Sequence, residues 1–104
     1  ISYLYLTLFS NLKKLIYLHL NNNKLFYLDL DLFKSLNELR FLYLNNNMLS
    51  SISPIQFKGL KKLARLNIQN NLIKSLQSFT FKDLADLLQL DLSNNRIEFL
   101  NERY

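Results

Sequence analysis

Cysteine is absent from this chain of 104 residues, and glycine and proline occur once each. Without cysteine the chain can form neither a disulfide framework nor a zinc site with cysteine ligands. Lys, Asn or Asp interrupts every apolar run, so none reaches the roughly 18 apolar residues that a membrane span needs. The N-glycosylation sequon Asn-x-Ser/Thr does not occur either. For this stretch of chain, a disulfide scaffold, cysteine-ligated zinc and a membrane span are therefore excluded.

Leucine, by contrast, is abundant and recurs in a strict pattern. The pattern Leu-x-x-Leu-x-x-Leu-x-Leu-x-x-Asn-x-Leu, with isoleucine at some later positions, repeats every 24 residues from Leu12, Leu36, Leu60 and Leu84. Residues that recur one period apart form a column, and two further columns are present. One consists of Leu4, Leu28, Ile52, Leu76 and Leu100, and the other of Phe9, Phe33, Phe57 and Phe81. A fixed period of this length is typical of a solenoid, in which stacked repeats share one linear core.

The register of the repeat also shows at which position within a repeat the chain starts and ends. Ile1 falls in the column of Leu25, so the chain starts in mid-repeat, and it closes in mid-repeat at Tyr104. We therefore expect a single array over 1–104, with four complete strand motifs, partial repeats at both ends and no caps, cut from a longer protein. Uncovered core columns and unpaired strand edges at the ends predict that the isolated segment self-associates or frays. The end residues concerned are Leu4, Leu6, Phe9, Leu92, Ile97 and Leu100.

Each repeat contains a stretch x-Leu-x-Leu-x that predicts a β-strand, at 17–21, 41–45, 65–69 and 89–93. Alternate residues of a strand point to opposite faces, so the two leucines enter the core and the residues between them face solvent. An Asn-Asn pair after each strand predicts a sharp turn, where an inward amide can satisfy unpaired backbone groups. The returning limb is too short for a long helix, and we expect short 3₁₀ or extended pieces there.

The motif, its period and the phenylalanine column resemble the 24-residue type of leucine-rich repeat. The resemblance implies an α/β solenoid with a parallel sheet on its concave face and short segments on its convex face. It also implies an asparagine ladder at Asn23, Asn47, Asn71 and Asn95. The family uses this repeat chiefly in secreted proteins and receptor ectodomains, such as Toll-type receptors, Slit-type guidance proteins and small proteoglycans. An extracellular or cell-surface location is therefore expected, although the cysteine-rich caps of extracellular members are missing.

Function in this architecture lies on the outward-facing strand positions, which the repeat does not dictate. The candidate ligand-binding residues form two columns. The first column is Tyr17, Phe41, Arg65 and Gln89, and the second is His19, Tyr43, Asn67 and Asp91. A third solvent-facing column consists of Asn21, Asn45, Gln69 and Ser93. Exposed aromatic side chains beside an arginine are typical of interface hot spots. We interpret the chain as a protein-recognition scaffold of a receptor-like or secreted protein, for a protein ligand or co-receptor. Alternatively, the aromatic residues pack across strands and only stabilise the sheet, and the repeats are structural spacers.

The formal net charge of +5 suggests a second kind of partner. Most of the lysines fall on the predicted convex side, namely Lys34, Lys58 and Lys82 in one column, and Lys13, Lys14, Lys61 and Lys62 a few residues further along. Like charges about 5 Å apart repel one another, and a polyanion or glycan such as heparan sulfate would relieve the repulsion. Glu38, Asp83 and Asp86 interleave with the lysines, so a solvated convex face is the simpler interpretation.

The repeat columns contain no arrangement of residues that predicts catalysis or metal binding. His19, the only histidine, shares a column with Asp91, but three strand spacings of roughly 14 Å in total separate them, too far for a catalytic triad. Asp29 and Asp31 are too few for calcium, which takes about six to eight oxygen ligands, and Gly59 alone cannot form a phosphate loop. We expect no enzyme activity, no cofactor, no metal and no nucleic-acid partner.

Overall fold

The computed structural model describes residues 8–77 and 79–98. Within them, four short strands, one from each repeat, form a parallel sheet in chain order. They are β1 (Tyr17–His19), β2 (Phe41–Tyr43), β3 (Arg65–Asn67) and β4 (Gln89–Asp91). Residues one period apart stand opposite each other, as Leu18, Leu42 and Leu66 do at the strand centres. The predicted solenoid, with its parallel sheet on the concave face, is confirmed.

Some residues that the period assigns to the ends of the array lie outside the described part of the chain: Ile1, Leu4, Leu6, Leu100 and Tyr104. Of the other end residues, Phe9 is buried, and Leu92 and Ile97 are partly buried against the core. Self-association of the isolated segment stays a prediction. No helix within 8–77 and 79–98 is long and apolar enough to cross a membrane.

The core is a linear stack of leucine, isoleucine and phenylalanine side chains. Leu42 and Leu66, at the centres of β2 and β3, are fully buried, whereas Leu90 in β4 is 37% exposed. Among the described residues β4 has a neighbouring strand on one side only, and so has β1, whose central Leu18 is 9% exposed. In the returning limbs, Leu12 is 43% exposed, while Leu36, one period later, is fully buried.

The phenylalanine column fills the convex side of this core. Phe33 and Phe57 are almost completely buried, and Phe9 and Phe81 nearly so. Phe9 stacks on Phe33 with ring centroids 6.4 Å apart, and Phe57 meets Phe81 at 6.0 Å with the rings tilted by 33°. Aromatic pairs at such distances add to the burial of apolar area. The rings thus pack the core beneath limbs that are too short to carry long helices.

The inner asparagine ladder consists of Asn23, Asn47, Asn71 and Asn95. The last three bond their own repeat to the one before it, while Asn23 donates to carbonyls of its own repeat. Asn47 Oδ1 accepts from the Leu25 N–H at 3.1 Å, and its Nδ2 donates to the Leu20 carbonyl at 2.9 Å, both in the preceding repeat. The same Nδ2 also donates to the Leu44 carbonyl at 3.0 Å, within its own repeat. Buried backbone groups that no sheet partner reaches are satisfied in this way.

The preceding asparagine of each pair has a different task. The outer asparagine ladder, Asn22, Asn46, Asn70 and Asn94, has φ angles of 60, 59, 56 and 56°, in the left-handed region. Asparagine enters this region more readily than most residues because its short polar side chain can bond locally. Asn46 Nδ2 donates to Asn22 Oδ1 and Asn70 Nδ2 to Asn46 Oδ1, each at 2.8 Å. The outer ladder therefore makes the turn and bonds from side chain to side chain at the exposed surface, whereas the inner ladder joins the repeats at buried backbone groups.

The returning limbs on the convex side are held by successive backbone bonds from residue i to residue i−3, as in Leu36 to Phe33 and Leu39 to Leu36. This spacing is that of the 3₁₀ turn. One limb differs from the expected 3₁₀ or extended conformation and contains a short α-helix, α1 (Pro54–Phe57). Ser53 Oγ accepts from the Ile55 N–H and Gln56 Oε1 accepts from the Ser53 N–H, which caps the helix start.

We predict that Asn47→Ala lowers the free energy of unfolding by about 2–3 kcal/mol, because it leaves buried backbone groups of two repeats without partners. Chemical denaturation measures the change. Asn46→Gly is the matched control, since glycine adopts the left-handed conformation freely and the exposed side chain of Asn46 satisfies no buried group. Equal midpoints for the two variants would contradict the role assigned to the inner ladder.

We predict that Phe57→Ala costs about 3–5 kcal/mol of unfolding free energy, the range for removing a large buried aromatic side chain. Ile55→Ala, in the same short helix but 53% exposed, should change stability by only about 0.5 kcal/mol. Denaturation of both variants under the same conditions compares them. A loss at position 57 no larger than that at position 55 would refute the place of Phe57 in the core.

Candidate functional site

The first outward column of the sheet forms a continuous stack of side chains. The rings of Tyr17 and Phe41 are stacked, with centroids 4.6 Å apart and planes 10° from parallel. The Arg65 guanidinium carbon lies 5.7 Å from the centroid of the Phe41 ring, within the range of a cation–π interaction. The in-register pairing of β1, β2 and β3 brings these three residues together, and Tyr17 remains 57% exposed.

The second outward column begins with another aromatic pair. His19 stacks on Tyr43 with centroids 4.4 Å apart and planes 11° from parallel. His19 is exposed and Tyr43 half-buried. The four rings, Tyr17, Phe41, His19 and Tyr43, therefore form two parallel pairs on adjacent strands, and we call them the aromatic half of the site. Their stacking stabilises the sheet, and their exposure leaves them open to a ligand.

The other half of the site is polar and is held by hydrogen bonds. Asn67 Oδ1 accepts from the Gln69 N–H at 3.0 Å. Asp91 Oδ1 accepts from the Ser93 hydroxyl at 2.6 Å and from the Ser93 N–H at 3.0 Å. The Ser93 hydroxyl, followed by the Ser93 backbone N–H, lowers the pKa of Asp91. The Asp91 carboxylate therefore stays ionised to a lower pH than a free aspartate, at a fixed position beside the sheet.

Thus the structure places all eight predicted residues on one sheet face, in two in-register rows. The sequence predicts an arginine beside the aromatic residues, but it did not identify the cation–π geometry of Arg65 and Phe41 or the bonds from Ser93 to Asp91. The spacing Asp-x-Ser after a strand is a local signal for the latter, because an aspartate side chain commonly bonds the backbone two residues further on. The Arg65 contact follows from the period, which sets residue 65 one strand from residue 41.

Lysines of the opposite, convex side are exposed and mostly unpaired. Among the described residues one ion pair forms, between Lys62 Nζ and Glu38 Oε2 at 2.8 Å, with both side chains nearly half exposed. The hydrogen bond from Lys62, and then its charge, lower the pKa of Glu38. An exposed pair of this kind contributes little to stability, so it matters mainly because it neutralises Lys62.

The groups that could serve catalysis do not meet. His19 lies in β1 and Asp91 in β4, with two strands between them. His19 is stacked on Tyr43, and Asp91 is bonded to Ser93. Within the described part of the chain, no group of three or more His, Cys, Asp or Glu side chains is placed to hold a metal ion. The arrangement is an exposed sheet surface of stacked rings and polar side chains.

Comparisons with known proteins agree with this architecture. The family profile described as leucine rich repeat matches residues 4–49 and 61–103, and a profile described as leucine rich repeats in two copies matches residues 37–80. A solved structure described as the Toll–Spatzle complex, a molecular hub in Drosophila development and innate immunity, contains a similar chain. It is 31% identical over 96% of the present chain, with a TM-score of 0.92.

This chain spans 13% of the length of that Drosophila chain, so the similarity concerns a few repeats of a much longer protein. No curated protein sequence matches the chain significantly. The two family profiles together cover nearly all of its residues, and the solved structure has the same fold. The chain therefore belongs to the leucine-rich repeat family.

Proposed function

We propose that this segment recognises a partner protein through the concave face of its sheet, with the aromatic half as the anchor. The observation that carries the proposal is the exposed stack of Tyr17, Phe41 and Arg65, next to the parallel pair of His19 and Tyr43. Tyrosine and arginine are enriched among the residues that dominate binding energy at protein interfaces. A contiguous group of them on a sheet surface is a suitable anchor for a partner.

The stacking also reduces the entropy cost of binding. Each immobilised side chain costs about 0.5–1.5 kcal/mol when it is ordered on association. Phe41 is already held between Tyr17 on one strand and Arg65 on the other, so part of this cost is met during folding. The rings present a rigid apolar surface, and rigid aromatic anchors favour slow dissociation.

The polar half supports a role in selecting the partner. Arg65 and Asp91 carry opposite charges on neighbouring strands, and the bonds from Ser93 fix the Asp91 carboxylate. Charges at the border of an apolar contact act mainly on specificity and association rate. A partner with an apolar group for the rings and complementary charges beside it would satisfy both halves.

The kind of partner and its location are part of the same proposal. The similar Drosophila chain belongs to a complex of Toll with Spatzle, which is an assembly between proteins. By analogy, we assign to this segment a protein ligand or co-receptor and an extracellular or cell-surface position in a receptor-like or secreted protein. The 24-residue repeat type supports this location.

Site-directed crosslinking tests where on the chain the partner binds. The photoreactive substitution Tyr43→p-benzoyl-Phe, on the concave face, should yield a discrete protein adduct on irradiation of the cells that express the protein. The same substitution at Phe26, which is 56% exposed and lies outside the strands, is the control. Adducts from position 26 alone, or from neither position, would contradict concave recognition by these repeats and favour a spacer role.

With the partner identified, we predict that Phe41→Ala weakens its binding by about 2 kcal/mol, the threshold for a hot spot. The substitution removes the ring that holds both Tyr17 and Arg65. Phe26→Ala removes an aromatic ring that is more exposed than Phe41 and lies outside the strands, and it should leave affinity within about twofold, as expected outside an interface hot spot. Calorimetric titration of both variants gives the comparison, and equal losses would mean that Phe41 is no anchor.

A further inference from the structure

We propose that a groove on the convex side of the solenoid binds a sulfated polysaccharide, independently of the concave face. The groove has a volume of about 490 Å³ and lies between the returning limb that contains Lys34 and the one that contains Lys58. We call it the lysine groove. The lining residues that matter to the argument are Asp31, Lys34, Ile55, Lys58, Gly59 and Lys61.

The charge of the lysine groove is positive and uncompensated. Three lysines against one aspartate give a local net charge of +2. None of Lys34, Lys58 and Lys61 has a carboxylate within 4.0 Å among the described residues, whereas the adjacent Lys62 is paired with Glu38. Like charges converging on one concavity raise the local potential and concentrate anions there. A multivalent anion would therefore find three free ammonium groups on one site.

Gly59 explains why the groove is open at this repeat. A Cβ atom at position 59 would stand 3.2 Å from the Lys34 carbonyl oxygen, so the two limbs approach closely here and no side chain fills the space between the lysines. One period later the corresponding residue is Asp83. The concavity that Asp83 lines together with Lys58 and Lys82 measures only about 160 Å³. The limbs that contain Lys58 and Lys82 thus form a smaller and less basic version of the same position.

The composition of the lysine groove selects the class of anion. It contains lysine and no arginine, so its charges are compact ammonium groups on flexible stems, which do not require one fixed anion geometry. No aromatic side chain lines it, so nucleobases would have no stacking surface, which single-stranded nucleic acids require. Sulfate esters need only point charges, and Ile55 offers apolar contact to the ring of a sugar. Lys82 continues the column beyond the groove, in a direction that a linear polymer can follow.

Binding of a short heparin oligosaccharide to the full chain, titrated at two salt concentrations, tests the proposal. We expect Lys34→Gln combined with Lys58→Gln to weaken binding about tenfold, since two exposed charge contacts are lost, and to lower the salt dependence by about two counterions. Lys24→Gln combined with Lys74→Gln is the matched control, because both residues are exposed and lie outside the groove. It makes the same change in net charge and should leave binding within about twofold.

Three results would overturn the proposal. Equal losses in the two double variants would show that binding follows net charge and not the groove. No detectable binding to the unmodified chain, with its melting temperature unchanged by the oligosaccharide, would show that the site does not exist. Equal affinity for polyglutamate would show that the groove takes acidic protein segments and is not built for sulfate. Phe41→Ala should bind the oligosaccharide normally, which separates this test from that of the concave site.

Discussion

The amide of an inner-ladder asparagine, shared between two repeats, is the interaction on which the rest of the structure depends. A strand of three residues cannot hold a sheet by itself, and the chain turns away from the sheet directly after each one. Asn71 accepts from the Leu49 N–H and donates to the Leu44 carbonyl, both in the preceding repeat, and to the Ile68 carbonyl in its own. It thus satisfies buried groups that neither water nor a strand can reach. Each repeat is thereby tied to its neighbour at a fixed offset.

This fixed offset determines what the concave face can present. Because neighbouring strands pair without slip, residues one period apart stand side by side on the sheet surface. The core columns must remain apolar, but the outward columns are free to vary. The side chains on the sheet surface can therefore change without disturbing the fold. Here one row leads from Tyr17 through Phe41 to Arg65, and the other leads from His19 through Tyr43 to Asp91. The charged groups of the convex limbs vary independently of these rows, which allows two surfaces with different partners.

Much of this could be predicted from the sequence because periodicity carries the information. The strands, their in-register pairing, the buried phenylalanine column and the outward position of Tyr17 all follow from a 24-residue repeat and the alternation of side chains along a strand. What could not be predicted depends on single departures from the repeat. The helix at Pro54–Phe57 arises from Ser53, Pro54 and Gln56, which the other limbs lack, and the lysine groove opens where Gly59 replaces a larger side chain. The different tasks of Asn46 and Asn47 needed backbone angles that residue identity alone does not give.

Hydrogen exchange at the amides that bond to the inner ladder tests the account most directly. The N–H groups of Leu49 and Ile73 donate to side-chain oxygens of Asn71 and Asn95, at 3.0 and 3.1 Å. The N–H groups of Leu44 and Ile68 donate to backbone carbonyls of the next strand. If the asparagine amides join the repeats, Leu49 and Ile73 should exchange as slowly as Leu44 and Ile68, and only when the whole array unfolds. Rapid exchange at Leu49 and Ile73 while Leu44 and Ile68 stay protected would contradict the central role of the asparagines.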